Sequence, residues 1–461
     1  MLLQELKNLV TEATEQIKYV YQYDNRPWVI GYSGGKDSTT VIQLIFNALC
    51  EIPPEKLYKP VYIISSDTMV ETPLIISYID STLNSIQKRA SELKLPISCH
   101  KVAPELEKTF WVSLIGKGYP PPRQKFRWCT DKLKIAPANK FILDKVSKFG
   151  EVIMVLGVRK GESQARDQVL RSHEVEGKIL KRHTTLSNAY VYAPIQCFST
   201  EDVWDYLLST PSPWGRNNNE LLELYQNSSG ECPLVTDQLD KSVNTQSCGN
   251  SRFGCWICTV VKEDKALIGF IDNGEDWLEY LLKFRNWLID IRENEHYRDN
   301  KRKDGSVYYL GEGEEKRKGL GPFNLYGRKA ILKELLQTQK DINEDKRTPY
   351  KLSLITTEEL KEIRKIWLQE GDWEDSLPEL YKEVYGTELD WEVNERPLFS
   401  EKELTILEAI CKDENIPAEL IKKLIAVESE YYGYKYRNGI LKNINSILNQ
   451  GWIHSDKIEV L

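Results

Sequence analysis

The sequence of 461 residues has no long hydrophobic run, no low-complexity tract and no excess of positive charge. Without about 18 consecutive apolar residues, the chain is not expected to span a membrane. Its N-terminal segment is interrupted early by Glu5 and Lys7, and its apolar residues recur at helical spacing. That pattern favours an amphipathic helix over a signal sequence. We therefore expect a cytoplasmic protein with no membrane partner.

The formal net charge of −7 argues against a generic nucleic-acid coat. Local basic surfaces are still possible, because phosphate contact depends on where the charge lies. Basic residues cluster at 123–134, 159–182, 301–303 and 316–318. For the last two clusters we favour a solvated face, the usual role of a charge run.

Four apolar segments predict buried strands, and segments of helical periodicity lie between them. The strands are predicted at residues 28–32, 61–65, 97–102 and 151–157, and the clearest helices at 39–50 and about 73–93. This alternation predicts an α/β fold, a parallel sheet with helices on both faces. Ligands of such sheets bind at the carboxyl ends of the strands, which is where the unusual sequences of this chain lie.

Three regions are expected along the chain. Residues 1–198 hold the predicted sheet, residues 199–263 have little periodicity and many Pro, Gly, Asn, Ser and Cys residues, and residues 264–461 are mostly helical. Ser199 begins the middle region with a capping-box pattern that predicts a helix start. A long segment without clear elements is usually functional or disordered, and its tryptophans and cysteines favour order around a ligand.

The loop after the first predicted strand has the composition of a phosphate site. Its glycines allow a tight turn in which backbone N–H groups face an anion at a helix N-terminus, and Lys36 adds a cation. Asp37 beside a phosphate predicts Mg²⁺ between the two. The spacing is not that of a Walker P-loop, and an ordinary strand-to-helix turn is the less favoured alternative. The predicted phosphate-binding residues of the loop are Ser33, Gly34, Gly35, Lys36, Asp37 and Ser38.

This loop resembles the PP-loop of the adenine-nucleotide α-hydrolases, the ATP pyrophosphatases. Residues 65–68 end the second predicted strand, where the resemblance implies adenosine contacts by Ser65 and Asp67. The segment from Gly157 onward is similar to a Gly-x-Arg…Glu-Ser…Arg segment of phosphoadenylylsulfate reductases. The resemblance implies that the six loop residues bind ATP together with Gly157, Arg159 and Arg166. Both arginines would face phosphate or sulfate oxygens, which suit the guanidinium fork. A surface ion pair is the alternative for both arginines.

Cys255 and Cys258 form a CxxC, whose spacing allows both sulfurs to reach one metal or cluster, although redox pairs share it. Cys248 and Cys232 lie upstream and favour ligation. Residues 127–134, around Cys129, resemble the cysteine-bearing segment that cluster-containing sulfonucleotide reductases combine with a distant CxxC. The resemblance implies a [4Fe–4S] cluster on Cys129, Cys248, Cys255 and Cys258. Zinc is the alternative, since four thiolates also suit it.

Cys232 remains as a spare thiol in this assignment. The reductases have two adjacent cysteines where this chain has Cys129 followed by Thr130, so Cys248 is expected to supply the missing ligand. We assign Cys232 a catalytic role as a persulfide carrier. Two alternatives stay open: Cys232 as a ligand in place of Cys248, and Cys232 as a buried small hydrophobic residue.

Over about the first 265 residues the chain resembles the DndC/SspD type of bacterial DNA-phosphorothioation proteins. The resemblance implies that ATP is split into AMP and pyrophosphate, with Lys36 and Asp37 as catalytic residues, to activate a DNA backbone phosphate for sulfur insertion. It implies three partners: DNA, a cysteine desulfurase as sulfur donor, and other phosphorothioation proteins. The segments that carry it are residues 31–38, 127–130, 157–159, 231–234 and 247–259.

Two other functions are compatible with the same motifs. A phosphoadenylylsulfate or adenylylsulfate reductase would need the catalytic tail cysteine of that family. The last cysteine here is Cys411, which lies within a helical pattern. A non-catalytic scaffold of a DNA-modification complex, regulated by its nucleotide, would bind ATP without releasing pyrophosphate.

Overall fold

A computed structural model of the chain describes residues 2–160, 179–183, 185–229, 253–303, 305–310, 317–391, 401–432, 437–450 and 452. The described residues form two compact units. Unit 1 comprises Met1–Pro104 and Arg127–Leu278, and unit 2 comprises Glu105–Phe126 and Glu279–Leu461. This division differs from the three ranges expected from the sequence in two places, because residues 105–126 group with unit 2 and residues 264–278 with unit 1.

Unit 1 is an α/β unit built on a six-stranded sheet with the order β3-β2-β1-β4-β6-β5. All neighbouring strands are parallel except the short β5, which is antiparallel to β6. Its elements are α1 (Leu2–Tyr23), β1 (Trp28–Gly31), α2 (Lys36–Cys50), β2 (Val61–Ser66), α3 (Pro73–Glu92), β3 (Ile97–Val102), α4 (Ala136–Phe149), β4 (Val152–Val155), β5 (Lys181–Arg182), β6 (Ala189–Tyr192), α5 (Thr200–Ser209), α6 (Asn219–Ser229) and α7 (Lys265–Asp272).

Helices cover both faces of the sheet, as the apolar strands predict. In β1 the side chains alternate between the faces: Val29 packs in a cluster with Ile142 of α4, whereas the Trp28 ring lies 5.5 Å from the Tyr21 ring of α1. Burial of both faces explains why β1 is apolar throughout instead of alternating with polar residues. The predicted parallel sheet with helices on both faces is confirmed.

The four predicted strands are present, and their carboxyl ends meet at one edge. Gly31 is in register with Ile64, and Ile30 with Val155. The Ser199 capping box is also confirmed, since the Ser199 hydroxyl accepts a hydrogen bond from the Asp202 backbone N–H, while the Asp202 carboxylate accepts one from the Ser199 N–H. The expectation of little regular structure after α5 was wrong for α6, whose buried Leu221 and Tyr225 lie one helical turn apart.

Unit 2 is mostly helical, as predicted for the C-terminal region. Residues 105–126 belong to it because indole hydrogen bonds join them to its other loops and helices: the Trp111 indole donates to the Leu354 carbonyl, and the Trp367 indole of α10 donates to the Ile115 carbonyl. No helix in the described ranges is long and apolar enough to cross a bilayer. The labelled elements of unit 2 are α8 (Glu279–Ile291), β7 (Tyr309–Leu310), β8 (Arg317–Lys318), α9 (Leu325–Glu344), α10 (Thr357–Glu370), α11 (Ser376–Tyr385), α12 (Glu401–Asp413), α13 (Ala418–Glu430) and α14 (Ile440–Leu448).

Candidate active site

The glycine loop joins β1 to α2 at the carboxyl edge of the sheet. Gly34 has φ +74°, a conformation that favours glycine, and a Cβ there would lie 2.7 Å from Ile79. Gly35 is the N-cap of α2, and Lys36 is its first residue. The helix therefore begins three residues before the predicted start, so the positive end of its dipole lies within the loop.

Two serine hydroxyls hold the loop closed. The Ser33 and Ser38 Oγ atoms lie 3.2 Å apart, and the Ser38 hydroxyl donates to the Gly35 carbonyl at 2.9 Å. The Ser33 backbone N–H also donates to Ser38 Oγ at 3.3 Å. Both hydroxyls thus have partners within the loop, so an anion that takes hydrogen bonds from them would replace these contacts.

The strand that lies beside β1 brings Gly157 against this loop. A Cβ on Gly157 would lie 2.9 Å from the carbonyl carbon and oxygen of Asp37 and 3.0 Å from the backbone nitrogen of Ser38. These are backbone atoms of the first turn of α2, which cannot swing aside as a long side chain can. Only glycine fits at this position without moving the loop.

Three charged side chains form a partly buried cluster at the start of α2. The Asp37 carboxylate accepts hydrogen bonds from Lys36 Nζ at 3.1 Å and from Arg159 Nε at 2.5 Å. The side chains of Lys36 and Arg159 are only 7% and 5% exposed. Arg159 also donates to the Thr200 hydroxyl at 3.2 Å. The alternative of a surface ion pair therefore does not hold for Arg159.

Tyr225 could not be assigned to the site from sequence, because it lies 189 positions after Lys36 in the region of weak periodicity. Its hydroxyl accepts a hydrogen bond from the Lys36 backbone N–H at 3.3 Å, and Lys36 Nζ lies 5.7 Å from the centre of its ring. Burial raises the pKa of Tyr225 well above its usual range, so the hydroxyl stays neutral. Thr200 was missed for the same reason, although its capping box was recognised.

Ser65 and Asp67 end β2, at the edge where the loop lies. Ser65 is buried, and Asp67 accepts a hydrogen bond from the Met69 backbone N–H and pairs with Lys101 Nζ at 2.9 Å. The next residue, Thr68, is also buried, and its hydroxyl lies 3.3 Å from Cys255 Sγ. The end of β2 therefore connects the sheet edge to the CxxC segment.

The CxxC segment packs on the turn that follows β2. The Trp256 backbone N–H donates to the Val70 carbonyl, and the Thr72 backbone N–H donates to the Gly254 carbonyl. Phe253, at the start of the segment, has its ring 4.6 Å from that of Tyr225. Because Tyr225 contacts Lys36, a continuous set of packed residues joins the glycine loop to the cysteines.

The predicted cysteine ligands Cys129, Cys255 and Cys258 are all close enough to Lys134 to interact with it electrostatically. Burial raises the pKa of Cys255 to about 12, an effect that Lys134 opposes. Burial, followed by the charge of Cys258, raises the pKa of Cys129. Burial alone would lower the pKa of Lys134, but the nearby thiolates and Glu71 outweigh it and raise that pKa. The three cysteine sulfurs are soft donors, which suit zinc or an iron–sulfur cluster.

The donor set is incomplete in the part of the chain that the structure describes. There, no three His, Cys, Asp or Glu side chains are gathered closely enough to hold a metal ion. Three predicted site residues, Arg166, Cys232 and Cys248, lie outside the described residues. The assignments of Cys232 to catalysis and of Cys248 to ligation stay predictions.

Residues 27–261 match the family model of the phosphoadenosine phosphosulfate reductase domain. An uncharacterized protein of Methanocaldococcus jannaschii is 26% identical over 211 residues, which are 46% of this chain and 37% of that protein. The chain thus matches little more than a third of that relative's length. The family match includes the glycine loop, Arg159 and the CxxC.

Two solved structures are similar to parts of the chain. Phosphoadenylyl-sulfate reductase from Candida auris, in a phosphate complex, is 14% identical with a TM-score of 0.28 and covers 48% of this chain and 91% of its own. The U34-tRNA thiolase NcsA from Methanococcus maripaludis, with its [4Fe-4S] cluster, is 13% identical with a TM-score of 0.28 and covers 49% and 74%. At these TM-scores neither likeness bears on function.

Proposed function

Because the chain belongs to the phosphoadenosine phosphosulfate reductase domain family, we propose that it binds ATP on the loop Ser33–Ser38 and splits it between the α and β phosphates. One observation carries the proposal: two nearly buried cations, Lys36 and Arg159, share the single carboxylate of Asp37 at the N-terminus of α2. The cluster keeps an excess positive charge, to which the helix dipole adds. The triphosphate of ATP would neutralise this excess positive charge.

The arrangement also suits the chemistry of the cleavage. An oxygen nucleophile attacks the α-phosphorus, the bond from that phosphorus to the bridging oxygen breaks, and pyrophosphate leaves with the electron pair. Lys36 lies where it can offset the charge that builds on the leaving group. Once phosphate oxygens bind Lys36 and Arg159, Asp37 is released to hold Mg²⁺, which would supply further charge neutralisation.

We propose a non-bridging oxygen of a DNA phosphodiester as the nucleophile in the full reaction. A phosphate oxygen is a poor leaving group until it is adenylylated, so ATP cleavage would convert it into AMP that can depart. The outer sulfur of a persulfide on Cys232, supplied by a cysteine desulfurase, would then attack the DNA phosphorus and displace AMP together with that oxygen. A second thiol would attack the inner sulfur of the resulting Cys–S–S–P bridge, which leaves the outer sulfur on the phosphorus and a disulfide between Cys232 and that thiol. Support for this step comes from the sequence segments that resemble those of DNA-phosphorothioation proteins. Other proteins of the same modification system would be further partners.

Product analysis of ATP turnover tests this function directly. We expect AMP and pyrophosphate in equal amounts, with faster formation when DNA is added. ADP and inorganic phosphate as products would contradict α/β cleavage. Tight ATP binding without any product would favour the scaffold. Release of sulfite from phosphoadenylylsulfate in the presence of thioredoxin would favour the reductase.

The family match is the observation that favours a reductase as the second candidate. That reaction needs a cysteine that can reach the sulfonucleotide. Cys411, the last cysteine of the sequence, is buried in α12 and only 4% exposed. A thiol packed in this way is not available as a nucleophile without unfolding of the helix around it.

Replacing Asp37 by alanine is expected to stop pyrophosphate formation while the protein stays folded. The change leaves Lys36 and Arg159 close together without their shared counter-charge. Added ATP should therefore raise the melting temperature of the variant more than that of the wild type, although turnover falls by on the order of 10²-fold or more. The exposed Asp144, replaced by alanine, is the control. Full turnover of Asp37→Ala would remove Asp37 from catalysis.

The [4Fe–4S] cluster on Cys129, Cys248, Cys255 and Cys258 is part of the proposal, with zinc as its alternative. Replacing Cys255 by serine is expected to remove most of the iron from anaerobically purified protein, because Cys255 interacts with Cys258, which in turn interacts with Cys129. The exposed Cys197, replaced by serine, should keep the iron. Iron and zinc are measured together in both variants. Unchanged iron in Cys255→Ser would rule out this ligand, and zinc in wild-type protein would favour the alternative.

A further inference from the structure

Unit 2 contains a cavity of about 730 Å³ that plays no part in the proposed ATP cleavage. Seven of its lining side chains are basic and three are acidic, although the whole chain has a net charge of −7. The basic residues are Lys117, Lys301, Arg302, Lys303, Arg328, Lys365 and Lys423, and the acidic ones are Asp299, Glu370 and Glu419. These cations come from five separate parts of the sequence, so only the fold brings them together.

The carboxylates of the cavity neutralise some of these cations and leave others. Glu370 pairs with Arg328 at 2.6 Å and lies 3.9 Å from Lys303, and Glu419 pairs with Lys423 at 3.1 Å. Among the residues that the structure describes, Lys301, Arg302 and Lys365 form no ion pair. Like charges brought together without counter-ions repel one another, and an anionic ligand removes that repulsion.

Arg328 is a nearly buried cation in the wall of the cavity. The residue is only 7% exposed, and its Nη1 donates to the Gly116 carbonyl and to Glu370, both at 2.6 Å. Its Nε is buried and has no hydrogen-bond acceptor among the described residues. Arg328 therefore adds a fixed, nearly buried positive charge to the wall of the cavity, which an anionic ligand would meet.

Trp452 gives the cavity a second chemical character. Lys301 Nζ lies 4.9 Å and Lys423 Nζ lies 5.2 Å from the centre of its ring. Basic side chains that track a phosphate backbone, with an aromatic ring on which a base stacks, are the usual elements of a single-strand binding site. A small anion such as phosphate would make no use of the ring.

We infer that this cavity binds a single strand of DNA, with Lys301, Arg302 and Lys365 on its phosphates and one base against Trp452. The choice of DNA over other strands rests on the proposed function, in which DNA is the acceptor. A duplex is less suitable, because its bases are stacked on one another and not available to the tryptophan. The cluster 301–303, for which the sequence favoured a solvated face, thereby becomes part of a binding site.

Fluorescence anisotropy of a labelled single strand, measured on the full chain without ATP, tests the inference. From about 50 to 200 mM salt, the slope of log K against log salt should be shallower by about 1.4 in the double variant Lys301→Ala/Lys365→Ala, because two phosphate contacts are lost. Trp452→Ala should weaken binding by about tenfold, and Trp452→Phe should retain most of the affinity. The control is the double variant Lys333→Ala/Lys361→Ala, which removes one lysine of α9 and one of α10, neither of which lines the cavity.

Four results would overturn the inference. The first two are an unchanged salt slope in the double variant and an equal decrease of the slope in the control variant. The third is tighter binding of RNA or duplex DNA than of single-stranded DNA. The fourth is displacement of the strand by inorganic phosphate beyond what its ionic strength explains. Pyrophosphate formation without DNA should be unaffected in the cavity variants. Because binding is measured without ATP, failure of the ATP assay and failure of this inference are distinguishable.

Discussion

Replacing Lys36 by alanine is expected to lower the rate of pyrophosphate formation by about 10²- to 10³-fold, the usual effect of removing one charge-stabilising donor from a reacting group. Lys36 is buried at the start of α2, with Nζ 3.1 Å from the Asp37 carboxylate. Without it, Arg159 is the remaining cation on that carboxylate. The charge on the leaving pyrophosphate would then be only partly compensated.

The stability of the Lys36→Ala variant should change little. A buried ammonium carries a desolvation cost, and its removal leaves Asp37 still paired with Arg159. Steady-state release of AMP and pyrophosphate is the measurement, together with ATP affinity by calorimetry. Lys88, an exposed residue of α3, provides the control when replaced by alanine. Wild-type turnover in Lys36→Ala would mean that the loop is not the site of cleavage. The scaffold would be favoured if neither the wild type nor the variant turned over ATP, the wild type bound ATP tightly and the variant assembled differently.

Replacing Gly157 by alanine is the second change with a large expected effect. The new methyl group would overlap the backbone of Asp37 and Ser38 at 2.9–3.0 Å, so β4's end or the first turn of α2 must move. Overpacking of this kind typically costs about 1–3 kcal/mol of the free energy of unfolding. Since the displaced atoms belong to the phosphate loop, ATP affinity should fall as well.

Gly31→Ala is a close control for Gly157→Ala. Its Cβ would meet only Leu156 Cδ2, at the ordinary contact distance of 3.6 Å, although it lies in the strand beside β4. Urea unfolding and ATP titration of both variants make the comparison. Equal stability and equal ATP affinity of the two variants would show that the close approach at Gly157 does not constrain the loop.

The arrangement of the sheet could be predicted from local patterns. β1 and β2 are short, mostly apolar and separated by a helical segment, as burial on both faces of a central strand requires, whereas the edge strand β3 contains Ser98, His100 and Lys101. β6 was not predicted, since its segment AYVY is short and has no strong periodicity. The helix α6 was missed for a similar reason, as it lies among residues typical of loops.

The sequence by itself determined the conformation of the glycine loop, because a strand, two glycines, a lysine and a helix start are adjacent along the chain and their interactions are local. It also identified Arg159 and the cysteines as candidates, by motif. Only the tertiary structure decided what these residues contact: Arg159 with Asp37, Tyr225 with Lys36, and Thr68 with Cys255. These pairs are 122, 189 and 187 positions apart. No local pattern encodes such pairs, because chain packing brings them together after the local elements have formed.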